Sequence, residues 1–137
     1  MGPTAGHLVW RLAMKWRTAV DRALDSLGLT HAQYVVLSSL IALDRPSQRE
    51  LADHTGLEPL YVSKLARSLE AADFIARTRD TVDTRSVRLT LTPHGRSTVE
   101  PAIAVVRSLL DRLLEPLGDR TSAFSDELRE LLAVPLD

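Results

Sequence analysis

The segment between residues 47 and 91 limits the possible folds most, because helix signals there lead directly into strand signals. Ser47 with Glu50 three positions later is the pattern of a capping box, and it predicts a short helix that Gly56 ends. A second helix is predicted to begin near Glu58 or Pro59, since proline suits the first helical position. Apolar residues at helical spacing give this second helix one buried side: Val62, Leu65, Ala66 and Leu69.

After Asp73 the pattern changes from a helical period to the two-residue period of a strand. Residues 74–79 form a short, partly alternating stretch, and Val87, Leu89 and Leu91 alternate with polar residues. The polar residues 80–85 between these stretches are predicted to be the tip of a hairpin. Two short helices joined by a tight turn and followed at once by a hairpin are the outline of a winged helix-turn-helix.

Two further helices are predicted on the N-terminal side. Between residues 8 and 27 the apolar side chains step by three and four, which indicates an amphipathic helix that Gly28 ends. Its inward positions are Leu8, Leu12, Trp16, Ala19, Val20, Ala23, Leu24 and Leu27. Thr30 is predicted to cap the next helix, whose inward residues are Tyr34, Leu37, Leu40 and Ile41.

On the C-terminal side, Thr92 and Pro93 are predicted to start a long helix that carries apolar residues as far as Leu117. Pro101 falls inside it and is expected to kink the helix or to shift its start. A last helix is predicted over about residues 122–133. The whole chain, residues 1–137, is therefore predicted to be a single domain of mainly α structure with a small β-hairpin wing, an α+β fold.

The composition excludes several classes of protein. No apolar stretch approaches the length of a membrane span, and the absence of cysteine excludes a disulfide framework, a thiolate metal site and a cysteine nucleophile. The four histidines lack metal-ligand spacing, and there is no phosphate-binding glycine loop or nucleophile elbow. We therefore expect no metal, no cofactor and no enzymatic activity. Because the N-terminus lacks the order of a signal peptide, we also expect a cytoplasmic location.

The net charge of −1 is unevenly distributed. Residues 60–96 carry seven basic and four acidic side chains, whereas residues 97–137 carry four basic and eight acidic ones. This pattern suits a module whose middle contacts phosphate, although scattered solvated charge gives the same numbers.

Residues 47–95 resemble the MarR (multiple antibiotic resistance regulator) family of winged helix-turn-helix transcription regulators. Two groups of residues carry the resemblance. The first follows the helix pair and consists of Leu69, Glu70, Phe74, Ile75 and Arg77. The second has the family's wing pattern of Asp-x-Arg, an apolar strand and a Thr-x-x-Gly helix start: Asp83, Arg85, Leu89, Leu91, Thr92 and Gly95.

The chain departs from the family pattern at two positions. Glu58 stands where a small polar cap is usual, but its charge still suits a helix N-terminus. Asp73 stands where glycine is usual, and aspartate is one of the few other residues that tolerate a left-handed backbone.

The side of the second helix opposite its buried side is the predicted DNA-reading surface. It carries Leu60, Tyr61, Ser63, Lys64, Arg67 and Ser68, which offer donors for guanine edges or phosphates and, at Leu60, an apolar contact for a thymine methyl group. Arg85 can enter a minor groove from the hairpin tip while Asp83 orients its guanidinium. Arg77, Arg79 and Arg88 are further candidates for phosphate contact. The alternative is that all of these are solvated helix residues and exposed ion pairs.

The resemblance also implies a homodimer, with residues 1–29 and 97–137 as dimerisation helices and residues 30–96 as the DNA-binding region. A monomeric bundle of the same helices is the alternative. Many family members are released from DNA by phenolic or other aromatic acids, so the resemblance also implies a small aromatic effector. Aromatic residues at helical spacing are more often part of the core, and with that alternative the candidate pocket residues are Trp10, Met14, Trp16, His31 and Tyr34.

The sequence thus predicts a homodimeric, sequence-specific repressor that binds a pseudo-palindromic DNA duplex. The alternative function is that of a winged-helix dimer acting as a protein-interaction module without specific DNA reading.

Overall fold

The computed structural model describes residues 2–137, and within them it contains six α-helices and one hairpin. The elements in chain order are α1 (Ala5–Asp25), α2 (His31–Ala42), α3 (Gln48–Thr55), α4 (Pro59–Ala71), β1 (Ile75–Arg79), β2 (Val87–Leu91), α5 (Pro93–Leu114), a 3-10 helix (Glu115–Arg120) and α6 (Thr121–Leu132). This order confirms the predicted fold class. The chain forms two compact units, one ending at Val106 and the other spanning Arg107–Asp137, so that α5 begins in the first and ends in the second.

The caps predicted from the sequence are present. The Ser47 side chain accepts a hydrogen bond from the Glu50 backbone N–H, and the Glu50 side chain accepts one from the Ser47 backbone N–H. Thr30 caps α2 in the same reciprocal way, with Gln33 as its partner. Gly56 ends α3 with a left-handed φ of 75°. The two capping boxes thus fix where α2 and α3 begin, and Gly56 ends α3 just before α4.

Buried leucines from five elements meet in the core of the first unit: Leu24, Leu37, Leu51, Leu69 and Leu89. The predicted buried side of α4 is confirmed, since Val62, Leu65, Ala66 and Leu69 are all buried. The prediction for α1 is partly wrong, because Leu8 and Leu12 are exposed and only Val20 and Leu24 are fully covered. Ile41 is also exposed, so it does not belong to the inward side of α2. A helical period shows which face is apolar, but not whether the same chain covers that face.

The hairpin pairs Ile75 with Leu91 and Arg79 with Val87 in antiparallel register. On the other side of β2, the Leu89 N–H donates to the Pro46 carbonyl at 2.9 Å, and Ser47 forms a bridge with Arg88. The residues just before α3 are therefore joined to the wing by one backbone hydrogen bond and an isolated bridge, which the sequence did not predict.

The turn between α4 and β1 is tied to the start of α5. Asp73 has a left-handed φ of 62°, in agreement with its expected tolerance of that conformation. The Thr92 hydroxyl donates to the Asp73 carbonyl at 2.6 Å and accepts from the Gly95 N–H at 3.0 Å. The His94 ring stacks on the Phe74 ring with centroids 5.0 Å apart. The first turn of α5 is thus held against the base of the wing.

The second unit consists of the end of α5, the 3-10 helix and α6. The predicted continuation of the long helix to Leu117 is wrong, because α5 ends at Leu114 and the 3-10 helix follows. The physical reason lies in Pro116, which lacks a backbone N–H, and in Gly118, which has a left-handed φ of 55°. Pro101 lies inside α5, whose helical range begins at Pro93 as predicted and continues without a break on both sides of it.

Candidate nucleic-acid interface

The outward side of α4 carries the residues predicted to read DNA. Leu60 is 77% exposed and Tyr61 is 43% exposed, although both are large and apolar in part. Lys64, Arg67 and Ser68 are exposed as well, and Ser63 is half-buried. The structure therefore brings all six predicted residues to one side of a helix whose other side lies in the core.

Glu58 occupies the N-terminus of this helix. Its two carboxylate oxygens accept hydrogen bonds from the Leu60 N–H at 3.1 Å and from the Tyr61 N–H at 3.2 Å. A free helix N-terminus is a good phosphate site, because its N–H groups lack partners and the helix dipole favours an anion. Glu58 already satisfies two of these donors, so phosphate contacts on α4 must come from side chains.

The two cations of α4 differ in their surroundings. The Arg67 guanidinium turns back along the helix, with its Nη2 3.3 Å from the Ser63 hydroxyl and its Nε 3.5 Å from the Ser63 carbonyl. Within residues 2–137, Lys64 has no carboxylate at ion-pair distance. Lys64 is thus ready to contact an anion, whereas Arg67 already uses two of its nitrogens on Ser63 and has Nη1 free for an anion.

The wing tip presents a second cationic group. Arg85 has a side chain that is 93% exposed, and Asp83 accepts from its backbone N–H at 3.1 Å and from its Nε at 3.5 Å. Arg79 donates to the Thr84 carbonyl, which helps to close the tip. Val82, also at the tip, is 92% exposed and was not predicted from the sequence as part of the interface.

Arg77 and Arg88, also predicted to contact phosphate, lie in ion pairs within the chain. Arg77 contacts Glu70 at 3.1 Å, and Arg88 contacts Glu50 at 2.7 Å and Asp80 at 3.4 Å. Only 28% of the Arg77 side chain and 29% of the Arg88 side chain are exposed. We therefore base the candidate interface on the other predicted residues.

The carboxylates around Arg88 are held in their charged form. Hydrogen bonds from Ser47, followed by the Arg88 guanidinium, keep the pKa of Glu50 below its ordinary value. Burial works to raise the pKa of Asp80, but the Val82 and Asp83 backbone N–H groups and Arg88 together lower it. Both acids thus remain ionised at neutral pH.

An open cavity of about 470 Å³ lies between the start of α3 and the wing. Its lining residues are Ser47, Gln48, Arg49, Asp83, Arg85, Ser86 and Val87. Arg49 is exposed here and was missed by the sequence analysis, although its place in the first turn of α3 was a usable signal. The first helix of a helix-turn-helix crosses the DNA backbone, so a cation in its first turn can contact phosphate.

The five candidate ligand residues lie on α1 and at the start of α2. Trp10 is 63% exposed, whereas Met14, Trp16, His31 and Tyr34 are half-buried. The His31 backbone N–H donates to Asp21 at 2.8 Å, and burial, in part offset by Asp21, lowers the pKa of the His31 imidazole. None of the five lines the cavity beside the wing.

Comparison with known proteins places this geometry in a family. The model of the MarR family matches residues 29–87. The transcriptional repressor Rv2887 of Mycobacterium tuberculosis is 37% identical over 112 residues, which cover 82% of this chain and 81% of the relative. The chain belongs to the MarR family.

Two solved MarR-like structures are informative about function. The repressor CouR, bound to a 23-mer DNA duplex, has a TM-score of 0.85 and 30% identity, with 94% of this chain and 92% of CouR covered. BpsR of Bordetella bronchiseptica, whose DNA binding is regulated by 6-hydroxynicotinic acid, has a TM-score of 0.88 and 26% identity. The match covers 98% of this chain and 100% of BpsR. Proteins of this similarity thus include a repressor seen on DNA and a regulator controlled by an aromatic acid.

No helix within residues 2–137 is long and apolar enough to cross a membrane. The same range contains no group of three histidine, aspartate or glutamate side chains that could hold a metal ion.

Proposed function

We propose that this MarR-family protein is a sequence-specific, DNA-binding transcriptional repressor. The observation that carries the proposal is the exposed face of α4 together with the exposed Arg85 at the wing tip, in a chain that matches DNA-bound CouR over 94% of its length. In the proposed complex α4 enters a major groove, where its side chains contact base edges, and the wing enters the adjacent minor groove. A protein that reads duplex DNA acts where the DNA is, so the proposal includes a cytoplasmic location.

The proposal includes a homodimer that binds a pseudo-palindromic site. One winged helix covers only a few base pairs, so two copies related by a twofold axis are needed for specificity. In the first unit, α1 exposes Leu8, Val9, Trp10 and Leu12, and in the second unit α6 exposes Leu128, Leu131 and Leu132. Apolar surface of this kind is typical of an interface. We assign residues 1–29 and 97–137 to dimerisation and residues 30–96 to DNA binding.

A small aromatic acid is the proposed effector. The support is the similarity to BpsR and to Rv2887, which was solved with p-aminosalicylic acid and, in a second structure, with salicylic acid. Trp10, Met14, Trp16, His31 and Tyr34 remain the proposed pocket residues. Salicylate should lower the DNA affinity of the wild-type protein, and Trp16→Ala should reduce that response, measured relative to the variant's own effector-free affinity.

Selection from a random pool of duplex DNA at near-physiological salt tests the central proposal. We expect an inverted repeat to be enriched, with half-sites about one helical turn apart. One observation favours the alternative of a protein-interaction module: Glu58 places a carboxylate at the N-terminus of α4. Weak binding without sequence enrichment by a folded dimer would support that alternative and refute the repressor.

Binding of substituted proteins to the selected DNA site then tests the roles of individual residues. Arg85→Ala should weaken binding to all sequences and reduce the salt slope by about 0.9, the value for one lost phosphate contact. Lys64→Ala and Arg67→Ala should change the preferred sequence if these residues contact bases. Arg129→Ala removes the same charge from an ion pair on α6 and serves as the control, with its dimer shown to be intact at the concentrations used. Unchanged affinity in all three site variants would refute the assignment.

A further inference from the structure

Arg88 connects three parts of the first unit that are distant in sequence. Its side chain extends from β2, and one of its terminal nitrogens lies 2.7 Å from Glu50 on α3 and 3.3 Å from the Arg45 carbonyl in the α2–α3 loop. The other terminal nitrogen lies 3.4 Å from Asp80, where β1 leads into the wing tip. One guanidinium thus joins the wing to the start of the helix-turn-helix.

Each carboxylate that Arg88 contacts is itself held in place. Glu50 belongs to the capping box of Ser47, so its position is fixed relative to the first turn of α3. Asp80 accepts from the Val82 N–H at 3.5 Å, and its own N–H donates to the Ser86 carbonyl at 2.9 Å across the tip. Because both ends of the connection are ordered, the Arg88 contacts determine where the wing lies relative to α3.

The backbone reinforces this connection at the same point. The Pro46 carbonyl accepts a hydrogen bond from the Leu89 N–H, and Ser47 forms a β-bridge with Arg88 itself. Since α3 packs against α4, a wing that is fixed to α3 is also fixed relative to the DNA-reading helix.

We propose that Arg88 is a positioning residue that orders the wing before DNA is bound, so that Arg85 already lies where the minor groove will be. The inference rests on the proposed DNA-binding function and deepens it. An ordered wing loses less conformational entropy on binding than a mobile one, which raises affinity without any contact between Arg88 and DNA. This differs from the direct phosphate contact that the sequence suggested for Arg88.

Neutralising Glu50 or Asp80 distinguishes a positioning role of Arg88 from a direct phosphate contact, because the two roles predict opposite changes in DNA affinity. Glu50→Gln keeps Oε1, which accepts from both the Ser47 N–H and Arg88, but it loses the negative charge that strengthens the bond to Arg88. Asp80→Asn keeps the oxygen that accepts from the Val82 N–H but loses the oxygen that accepts from Arg88. Removing a negative charge near bound DNA would by itself strengthen binding. If Arg88 positions the wing, both variants should instead bind the selected site more weakly, and Asp80→Asn should lose about tenfold or more, the effect of losing one hydrogen bond to a charged group.

The control is Asp53→Asn, which removes the same charge from an exposed position of α3, where within residues 2–137 Asp53 forms no ion pair. We expect this control to bind at least as tightly as the wild type. Equal or tighter binding by both Glu50→Gln and Asp80→Asn would overturn the proposal.

A double-mutant cycle between Arg85 and Arg88 gives a second test on the same DNA. If Arg88 acts through the wing, Arg88→Gln combined with Arg85→Ala should bind no more weakly than Arg85→Ala alone, with the same salt slope. If Arg88 contacts a phosphate itself, the losses should multiply and the slope should fall by about a further 0.9. The second result would overturn the proposal.

Amide hydrogen exchange on the DNA-free protein tests the positioning without relying on DNA binding. Glu50→Gln should speed exchange at the Asp80 and Ser86 amides, which close the wing tip, and should leave the amides of α4 unchanged. Unchanged exchange at the tip would overturn the positioning role even if the wild type binds DNA. Faster exchange at the tip in a protein that selects no DNA sequence would uphold the ordering of the wing and refute the proposed function instead.

Discussion

Gly95→Ala should destabilise the protein, although alanine is the better helix former. Gly95 lies in the first turn of α5 and is buried against the chain that leads into β1. A Cβ atom at this position would lie 1.9 Å from the Phe74 carbonyl oxygen and 2.8 Å from the Phe74 carbonyl carbon. Both are backbone atoms, so no side-chain rotation relieves the clash, and α5 must move away from the base of the wing.

The structure sets the size of the effect. Opening the 1.9 Å contact to 3.0 Å requires a shift of about 1.1 Å, which would stretch the 3.1 Å bond between the Thr92 N–H and the Phe74 carbonyl beyond hydrogen-bond length. Losing that bond costs about 1 kcal/mol, and overpacking adds about 1 to 3 kcal/mol. The higher helix propensity of alanine relative to glycine offsets about 0.5 to 1 kcal/mol of this loss. The net loss in the free energy of unfolding is therefore about 1 to 3 kcal/mol.

Thermal unfolding at one fixed protein concentration measures this loss, because the stability of a dimer depends on concentration. For a chain of this length we expect the Tm of Gly95→Ala to fall by roughly 4 to 12 °C. Gly6→Ala is the control, since a Cβ at Gly6 would meet nothing closer than the Thr4 hydroxyl at 3.9 Å. That variant should be as stable as the wild type or slightly more stable. A Gly95→Ala protein with an unchanged Tm would refute the reasoning.

Three further substitutions or titrations test other parts of the first unit. Ser47→Ala should lower the free energy of unfolding by about 1 kcal/mol in a denaturant titration, because it removes the cap of α3; an unchanged midpoint would contradict this. Asp73→Ala should cost about 1 kcal/mol at a φ of 62°, whereas Asp73→Gly should not destabilise, and equal losses in both would show that backbone conformation is not the cause. The pKa values of Glu50 and Asp80 are lowered by folding, so their contribution to stability should be complete above about pH 5 and should disappear as the pH falls through those pKa values. Carboxyl chemical shifts that titrate at or above the ordinary values of 4.5 and 3.8 would contradict this assignment.

Local signals in the sequence were sufficient for the helix-turn-helix and the wing. A capping box involves only residues three positions apart, so Ser47 and Glu50 indicate the start of α3 whatever the helix packs against. The alternation in β2 and the helical spacing in α4 are local in the same way. The set of side chains on the outer face of α4 followed from that spacing alone.

Contacts between distant residues could not be predicted in this way. The sequence shows Arg88 as one more arginine in a strand, and only the fold brings Glu50, 38 positions earlier, within 2.7 Å of it. For Glu58 the sequence showed only a charge that suits a helix N-terminus, whereas in the structure its side chain accepts from two N–H groups of α4. The exposure of Leu8 and Leu12 also depends on what lies opposite α1, and a periodic pattern carries no information about that.

The placement of the two tryptophans makes the intrinsic fluorescence of the protein specific to one helix. Trp10 and Trp16 are the only tryptophans in the chain, and both lie on α1. Indole emission therefore reports on α1, and it should change little when DNA contacts the wing or α4. Trp10 is 63% exposed in the single chain, so pairing of two copies through α1 would move its emission to shorter wavelength, and dilution would reverse the shift. Assembly can thus be followed in the unmodified protein, separately from the binding of DNA at the wing.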